Sequence, residues 1–333
     1  MAANSNLHSA KDKKNDEFYT QLADIERELI HYKEHFNGKT ILCNCDDPRI
    51  SNFFKYFALN FQEFGLKRII STCYKNQNVD LFTQNDCEKA VWLDYYGNPN
   101  DPTNTDFSTV EVKELRGDGD FRSAECIELL KQADIVATNP PFSLFKEYVA
   151  QLIENKKQFI IIGSMNAISY KDIFPLIKEN KMWLGYGFKG GNAYFEIGKN
   201  NDKQYAQGVL NQETKIVHFR NCCWFTNIDI KKRHEELVLY KAYSENDFPK
   251  YDNYDAIEVS KTADIPMDYD GVMGVPITFL DKYNPDQFEI LGMESSAGYD
   301  PNIVGIPRLK EGDARPCING KTTYARIFIK RKK

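Results

Sequence analysis

A chain of 333 residues and 38.5 kDa, 42% hydrophobic and 13% aromatic, has apolar material for one large domain or two modest ones, which excludes wholesale disorder. The longest apolar run, Phe159 to Gly163, falls far short of the ~20 residues of a membrane span, and the polar, Lys-rich Met1 to Asn15 is neither signal peptide nor anchor, so a soluble, cytoplasmic protein is expected. A net charge of −5 argues against a uniformly basic surface, although Arg308 to Lys333 carries nine Lys or Arg against two acids, Glu311 and Asp313, a local balance of +7 that suits either phosphate contact or a solubilising tail.

After a loose N-terminus at 1–15, Leu22, Ile25, Leu29, Tyr32 and Phe36 recur at helical spacing, which predicts a helix over Phe18–Phe36 stopped by Gly38. Thr40–Asn44 reads as a buried strand, Ser51–Phe64 as a second helix closed by Gly65, and Arg68–Cys73 as another strand. The polar stretch Lys75–Glu114, centred on the turn Gly97-Asn98-Pro99-Asn100-Asp101-Pro102, reads as a peripheral hairpin. Alternation then resumes: helix Ala124–Gln132, strand Asp134–Thr138, helix Phe145–Glu154, strand Gln158–Gly163 and helix Lys171–Glu179. Met182–Tyr186 and Cys222–Asn227 read as two last strands around a Gly/Asn-rich insertion. Strand–helix alternation implies a doubly wound, Rossmann-like parallel sheet over 16–230. Residues 231–333 differ in texture, with short Tyr/Asp/Pro-rich segments and little helical periodicity.

The eight cysteines include no CxxC pair and read as reduced, buried thiols. His31 and His35 stand at i, i+4, a spacing that can hold a metal, but a solvated helix face is the plainer reading, and no metal site is expected.

Chemistry enters at Ala133-Asp134-Ile135-Val136-Ala137-Thr138-Asn139-Pro140-Pro141-Phe142, where a hydrophobic strand runs straight into two prolines. The prolines forbid continuation of the sheet and fix the backbone beyond the strand's carboxyl end, where open α/β sheets bind ligands. Asn139-Pro140-Pro141-Phe142 arises by chance in roughly one chain per thousand of this length, and the alternative is a structural strand terminator. The tetrad suits alkylation of a conjugated amine such as the exocyclic nitrogen of adenine. The Asn139 side-chain oxygen and the Pro140 carbonyl can accept both N–H groups and localise the lone pair, while Phe142 stacks the base. Catalysis of this kind is positioning and hydrogen-bond polarisation, with no tuned general base. In duplex DNA the base must first be flipped out, as methyltransferases as a class do.

A site for the methyl donor, S-adenosylmethionine, belongs on the neighbouring strand ends. Gly117-Asp118-Gly119-Asp120-Phe121 precedes the helix before the catalytic strand; Asp120 can accept the donor's adenine amine and Phe121 can stack on its ring, against the plainer reading of a surface turn. Phe18, Tyr19 and Thr20 can pack the methionine end, although an aromatic at a helix start is more often core. Asn44, Cys45, Asp46 and Asp47 follow the first strand at a strand-to-helix junction, and Cys73 ends the second.

These segments together resemble the EcoRI-type adenine-specific DNA methyltransferase family. The similarity runs from Asp16-Glu17-Phe18-Tyr19-Thr20-Gln21 through CNCDDPRISNFFKY at 43–56, GDGDFRS at 117–123, TNPPFSLFKEY at 138–148 and WLG at 183–185 to YDNYDAIEV at 251–259 and GVMGVPITFLDKYNPDQFE at 271–289. The resemblance implies an S-adenosylmethionine-dependent, site-specific adenine N6-methyltransferase acting on double-stranded DNA, with a catalytic domain at 16–230 and a smaller, irregular target-recognition region with a basic tail at 231–333. It implies that Asn139, Pro140, Pro141 and Phe142 polarise the amine and stack the base, that Asn139 also borders the donor, and that Asp120 and Phe121 hold the donor's adenine. A restriction-modification or host-protection role follows, with a cognate endonuclease as a possible partner. The chain departs from the wider adenine-methyltransferase pattern twice: its first donor loop has no glycine, and Ser71-Thr72-Cys73-Tyr74 lacks the acid that usually holds the ribose, a role Asp46 or Asp47 can take over. RNA or protein glutamine as acceptor, and a non-catalytic relative, are the competing readings.

Overall fold

The computed structural model describes residues 19–45, 47–74, 89–98, 107, 110–196, 210–211, 213–214, 216–294, 299–311 and 314–332. The chain forms two compact units, one of residues 1–165 and 187–228, the other of 166–186 and 229–333.

The first unit opens with strand β1 (Tyr19–Thr20) and helix α1 (Leu22–Leu29), which tightens into a 3₁₀ turn over Ile30–His35. The expected helix therefore starts later: Tyr19 and Thr20, an aromatic and a β-branched residue, pair instead with a strand far along the chain. The predicted stripe is otherwise intact, since Ile25, Leu29, Tyr32 and Phe36 are buried while Leu22 is exposed. Strand β2 (Thr40–Asn44) is buried along its whole length, as a strand between parallel neighbours must be. Helix α2 (Asn52–Leu59) is capped by the Ser51 hydroxyl, which accepts from Phe54 N at 3.3 Å, and ends before the expected Phe64. Strand β3 (Arg68–Cys73) follows. Strands β4 (Val91–Tyr95) and β5 (Val112–Glu114) form the expected hairpin, but it extends the central sheet, because β4 pairs antiparallel with β3 over its full length. Residues 75–88 and 99–106 of that stretch lie outside the described residues.

Helix α3 (Ala124–Gln132), strand β6 (Ile135–Thr138), helix α4 (Phe145–Glu154) and strand β7 (Gln158–Ser164) complete the alternation. The chain then supplies helix α5 (Phe174–Lys178) and strand β8 (Trp183–Leu184) to the second unit. Helix α5 is shorter than expected because Pro175, with no N–H to donate, belongs in a first turn. Back in the first unit, β9 (Ala193–Glu196), β10 (Leu210–Asn211) and β11 (Ile216–Phe219) join β1 in a separate sheet of order β1-β9-β11-β10, so the Gly/Asn-rich insertion contributes strands where it is described. Strand β12 (Cys222–Thr226) returns to the main sheet, whose strands in this unit run β5-β4-β3-β2-β6-β7-β12. β2 is parallel to both β3 and β6, and β6 to β7. From β2 the chain winds one way to β3 and later the other way to β6, so the switch point lies between the carboxyl ends of β2 and β6, where doubly wound sheets bind ligands.

In the second unit, β13 (Ile257–Glu258), β14 (Met273–Pro276), β15 (Phe288–Met293) and a final strand form a sheet. A one-turn helix α6 (Pro301–Val304) and the hairpin β16 (Cys317–Ile318) and β17 (Lys321–Thr322) precede that strand, β18 (Arg326–Arg331). The expected basic tail is here corrected: β18 is an inner strand between β14 and β15, with Ile327, Phe328 and Ile329 fully buried. Charge counting across 308–333 hides this short apolar run. No helix among the described residues is long and apolar enough to cross a membrane.

Candidate active site at the switch point

The two strand ends at the switch point are tied directly. The Thr138 hydroxyl at the end of β6 donates to the backbone carbonyl of Asn44 at the end of β2. The hydroxyl of Tyr148, fully buried on α4, donates to the Asn44 side-chain oxygen and is hydrogen-bonded with the Cys45 thiol. Burial pushes the Tyr148 hydroxyl well above its ordinary pKa, so it remains a neutral donor. Ser71 on β3 adds a bond of 2.8 Å to the carbonyl of Cys43.

The glycine-free loop beyond β2 takes the conformation glycine ordinarily provides: Cys45 has φ +80°. A side chain in that left-handed region costs on the order of 1 kcal/mol and persists where its surroundings hold it. Tyr148 is such a hold. Asp47 is buried, and its carboxylate takes the Arg49 backbone N–H at 2.9 Å and the Arg49 guanidinium at 2.6 Å, while its carbonyl accepts from Ser51 N at 2.7 Å and so turns the chain into α2. Asp46, a candidate for the ribose, lies outside the described residues, as does Phe18.

Gly119 presses the 117–121 loop onto the end of β3. Its φ is +77°, and a Cβ there would come within 2.5 Å of the Cys73 carbonyl and 2.9 Å of the Ala90 side chain, so only glycine fits. Phe121, buried, meets the Tyr148 ring edge-on at 5.0 Å, and its carbonyl accepts from Gln151 Nε2 at 3.0 Å. The Asp120 carboxylate takes the Arg122 backbone N–H at 2.8 Å and the Arg122 Nε at 2.9 Å on one oxygen, and the other end of the same guanidinium at 2.6 Å on the second. Cys73 is buried, with its thiol donating to the Tyr74 carbonyl. Thr20 accepts from Asn52 Nδ2 through its carbonyl at 2.8 Å, which fixes β1 to the start of α2. Its own hydroxyl is buried and has no hydrogen-bond partner among the described residues. Tyr19 precedes it in β1.

The tetrad leaves the sheet at the same edge. Asn139 and Pro140 are buried; Pro141 and Phe142 are half-buried, and Leu144 N donates to the Pro141 carbonyl at 3.0 Å in a 3₁₀ turn that leads into α4. The strand-end residues Asn44, Cys45, Cys73 and Asn139, with Phe121 from the 117–121 loop, are thereby brought to one edge of one sheet. Thr138 and Tyr148 complete the arrangement, and sequence reasoning did not single them out. Helical periodicity marks Tyr148 as core, but only the register of β2 against β6 shows what its hydroxyl faces. No group of His, Cys, Asp or Glu side chains placed to hold a metal occurs among the described residues.

Comparison with known proteins agrees with this geometry. The family model of the adenine-specific methyltransferase EcoRI matches residues 6–332. The chain is 48% identical over 335 residues to the type II methyltransferase M.EcoRI of Escherichia coli, covering 100% of this chain and 98% of the relative. It is 38% identical to the type II methyltransferase M.MgeORF184P of Mycoplasma genitalium and 36% identical to M.MpnI of Mycoplasma pneumoniae, each over 98% of both chains. No solved structure matches. With a switch-point site and a family match along nearly its whole length, the chain belongs to the EcoRI family of adenine-specific type II DNA methyltransferases.

Proposed function

We propose that this methyltransferase uses S-adenosylmethionine to methylate N6 of an adenine flipped out of duplex DNA, with Asn139, Pro140, Pro141 and Phe142 as the catalytic tetrad. The observation that supports this reading is the hydrogen-bonded junction of β2 with β6: the loop after β2 and Asn139-Pro140-Pro141-Phe142 after β6 leave neighbouring parallel strands at the same end.

The residues fit such a donor. A buried Thr20 hydroxyl without a partner among the described residues, the Asp120 carboxylate and the buried face of Phe121 provide polar and aromatic contacts of the kind an amino acid and an adenosine need. Asp120 and Phe121 would take the adenine, Asn44, Cys45, Asp47 and Cys73 would line the ribose and sulfonium region, and Tyr19 and Thr20 the methionine end. When bound, S-adenosylmethionine supplies a methyl group activated by its sulfonium.

The protein's own work is placement. The Asn139 side-chain oxygen and the Pro140 carbonyl accept the two N–H groups of the target amine and turn its lone pair toward the donor. Phe142, half-buried at the mouth, stacks the flipped base. The alkylated amine gives up one proton to solvent, so no side chain of tuned pKa is required. Residues 231–333 are assigned to target recognition, and the biological role to restriction-modification or host protection, with or without a cognate endonuclease.

Asn139→Ala tests this. The expected result is donor binding within about threefold of wild type by calorimetry, with methyl transfer down by about 10²–10³-fold, the scale of losing one polarising contact. A variant that keeps most of its turnover overturns the tetrad assignment.

A further inference from the structure

The second unit carries an aromatic side chain that the fold does not use. Tyr324 is 86% exposed, the highest value of any large hydrophobic residue among those described. Single exposed apolar residues are ordinary, but this one stands on an unusually fixed backbone.

The segment begins with the hairpin β16–β17, whose turn, Asn319 at φ +51° and Gly320 at φ +74°, has both central residues left-handed, as a two-residue hairpin requires. The hairpin is fastened along one side. Asp252 N donates to the Cys317 carbonyl at 2.8 Å, and the Asp252 carboxylate accepts from Gly320 N at 2.8 Å. The buried Asn253 donates to the Arg315 carbonyl at 2.8 Å and accepts from Cys317 N at 3.0 Å. Thr323 N closes the hairpin's foot on the Pro316 carbonyl at 2.8 Å.

Tyr324 itself is held from beneath. Its carbonyl accepts from the Thr323 hydroxyl at 3.2 Å and from the Arg326 guanidinium at 3.3 Å, and the same guanidinium reaches the Ala325 carbonyl at 3.2 Å. Arg326 is buried and paired through two nitrogens with the buried Glu258 carboxylate, which also accepts from the Tyr251 hydroxyl. A buried ion pair thus sets the backbone that projects the ring into solvent. The segment itself carries only cations: between Ala314 and Tyr324 there are Arg315 and Lys321, both exposed, and no acid, with the Asp252 carboxylate engaged at the Gly320 N–H.

An exposed aromatic on a hydrogen-bonded backbone, in a segment with exposed cations, matches the chemistry of a nucleic acid, whose bases stack and whose phosphates are anionic. Tyr suits the task because its large face loses little conformational freedom on contact. We propose that the β16–β17 hairpin and Tyr324 form a DNA-contacting element of this methyltransferase, the Tyr324 ring packing on a nucleobase of the substrate and Lys321 taking a phosphate. The proposal rests on the DNA methyltransferase activity above.

Equilibrium binding to a labelled unmethylated duplex, carrying the motif that the wild-type enzyme modifies, tests it beside steady-state kinetics. Tyr324→Ala is expected to weaken DNA binding and raise the KM for DNA by about 10- to 100-fold, with donor affinity and thermal midpoint unchanged. Tyr324→Phe keeps the aromatic face and is expected to stay near wild type. Lys321→Ala is expected to lower the slope of log affinity against log salt by about 0.9, one phosphate contact. Unchanged DNA affinity in Tyr324→Ala, with the wild-type enzyme active, overturns the DNA contact alone and leaves a surface hairpin or a protein-docking face. A wild-type enzyme that methylates no DNA overturns the underlying reading.

Discussion

The two units tie their main sheets with different groups. At the switch point of the first, the groups that join the strand ends are uncharged: an amide, a hydroxyl and a phenol on Asn44, Thr138 and Tyr148. In the sheet of the second, the corresponding tie is ionic, Arg326 against Glu258 with the Tyr251 hydroxyl added. The difference fits the role proposed for each region. Neutral donors and acceptors exchange partners at small cost, which suits a place where a ligand comes and goes. A buried ion pair is all or none, because removing one member leaves a charge out of water with nothing to balance it. It suits a fixed support, and the fixed support here ends in Tyr324.

The comparison is broken most severely by ending the chain after Gly320. That deletion removes β18, with Ile327, Phe328 and Ile329 fully buried in the middle of the sheet, so the second unit is expected to lose its folded structure, read as rapid proteolysis of residues 229–320 while the first unit survives. A truncated protein with intact resistance would make β18 dispensable. Glu258→Ala comes next and strands Arg326; a loss of about 3–5 kcal/mol is expected in denaturant unfolding followed by a probe in the second unit.

Tyr148→Phe tests the neutral tie and is expected to be milder. The ring keeps its contact with Phe121 while the Asn44 side chain loses its donor, at about 1–3 kcal/mol of local stability. Its particular signature is a KM split: the KM for S-adenosylmethionine rises several-fold while the KM for DNA stays put, a pattern that general destabilisation does not produce. Equal shifts in both would reduce Tyr148 to a packing residue.

The smallest effect is electrostatic and at the surface. His234 lies between Asp229 at 2.9 Å and Asp286 at 3.2 Å, and those hydrogen bonds raise its pKa above the usual 6.5. A raised folded value means that protonated His234 stabilises the fold fully below pH 6.5, and that this contribution fades as pH rises through the folded value. Because the ring is well exposed, only a small fall in the thermal midpoint across that window is expected, and His234→Asn should abolish it.

Much of the first unit was legible because its strands and helices are locally determined. Thr40–Asn44, Arg68–Cys73, Ala124–Gln132 and Phe145–Glu154 have the predicted boundaries, each set by an unbroken apolar run or a helical stripe ending at polar residues. The end of the strand before Asn139 was legible because the two prolines that follow cannot continue a buried strand. What escaped depends on partners distant in sequence. Tyr19–Thr20 is a strand only because 193–196 lies alongside it, and Arg326–Arg331 reads as a charged tail until Glu258 is placed beneath it. The inclusion of 166–186 in the second unit is likewise tertiary, since nothing local marks those residues off from the alternation before them. At the site, sequence pointed to the strand ends but not to the hydrogen bonds that join them.

The central claim is that the tetrad at the β2–β6 junction methylates adenine in DNA. The most direct measurement is to express the full chain, wild type and Asn139→Ala, in a host lacking adenine methylation and to sequence its native genomic DNA for N6-methyladenine. The account predicts one motif methylated near completion by the wild type and an unmodified genome with the variant. A wild-type protein that folds and binds S-adenosylmethionine yet leaves the genome unmodified, or a variant that methylates as well as the wild type, would contradict it.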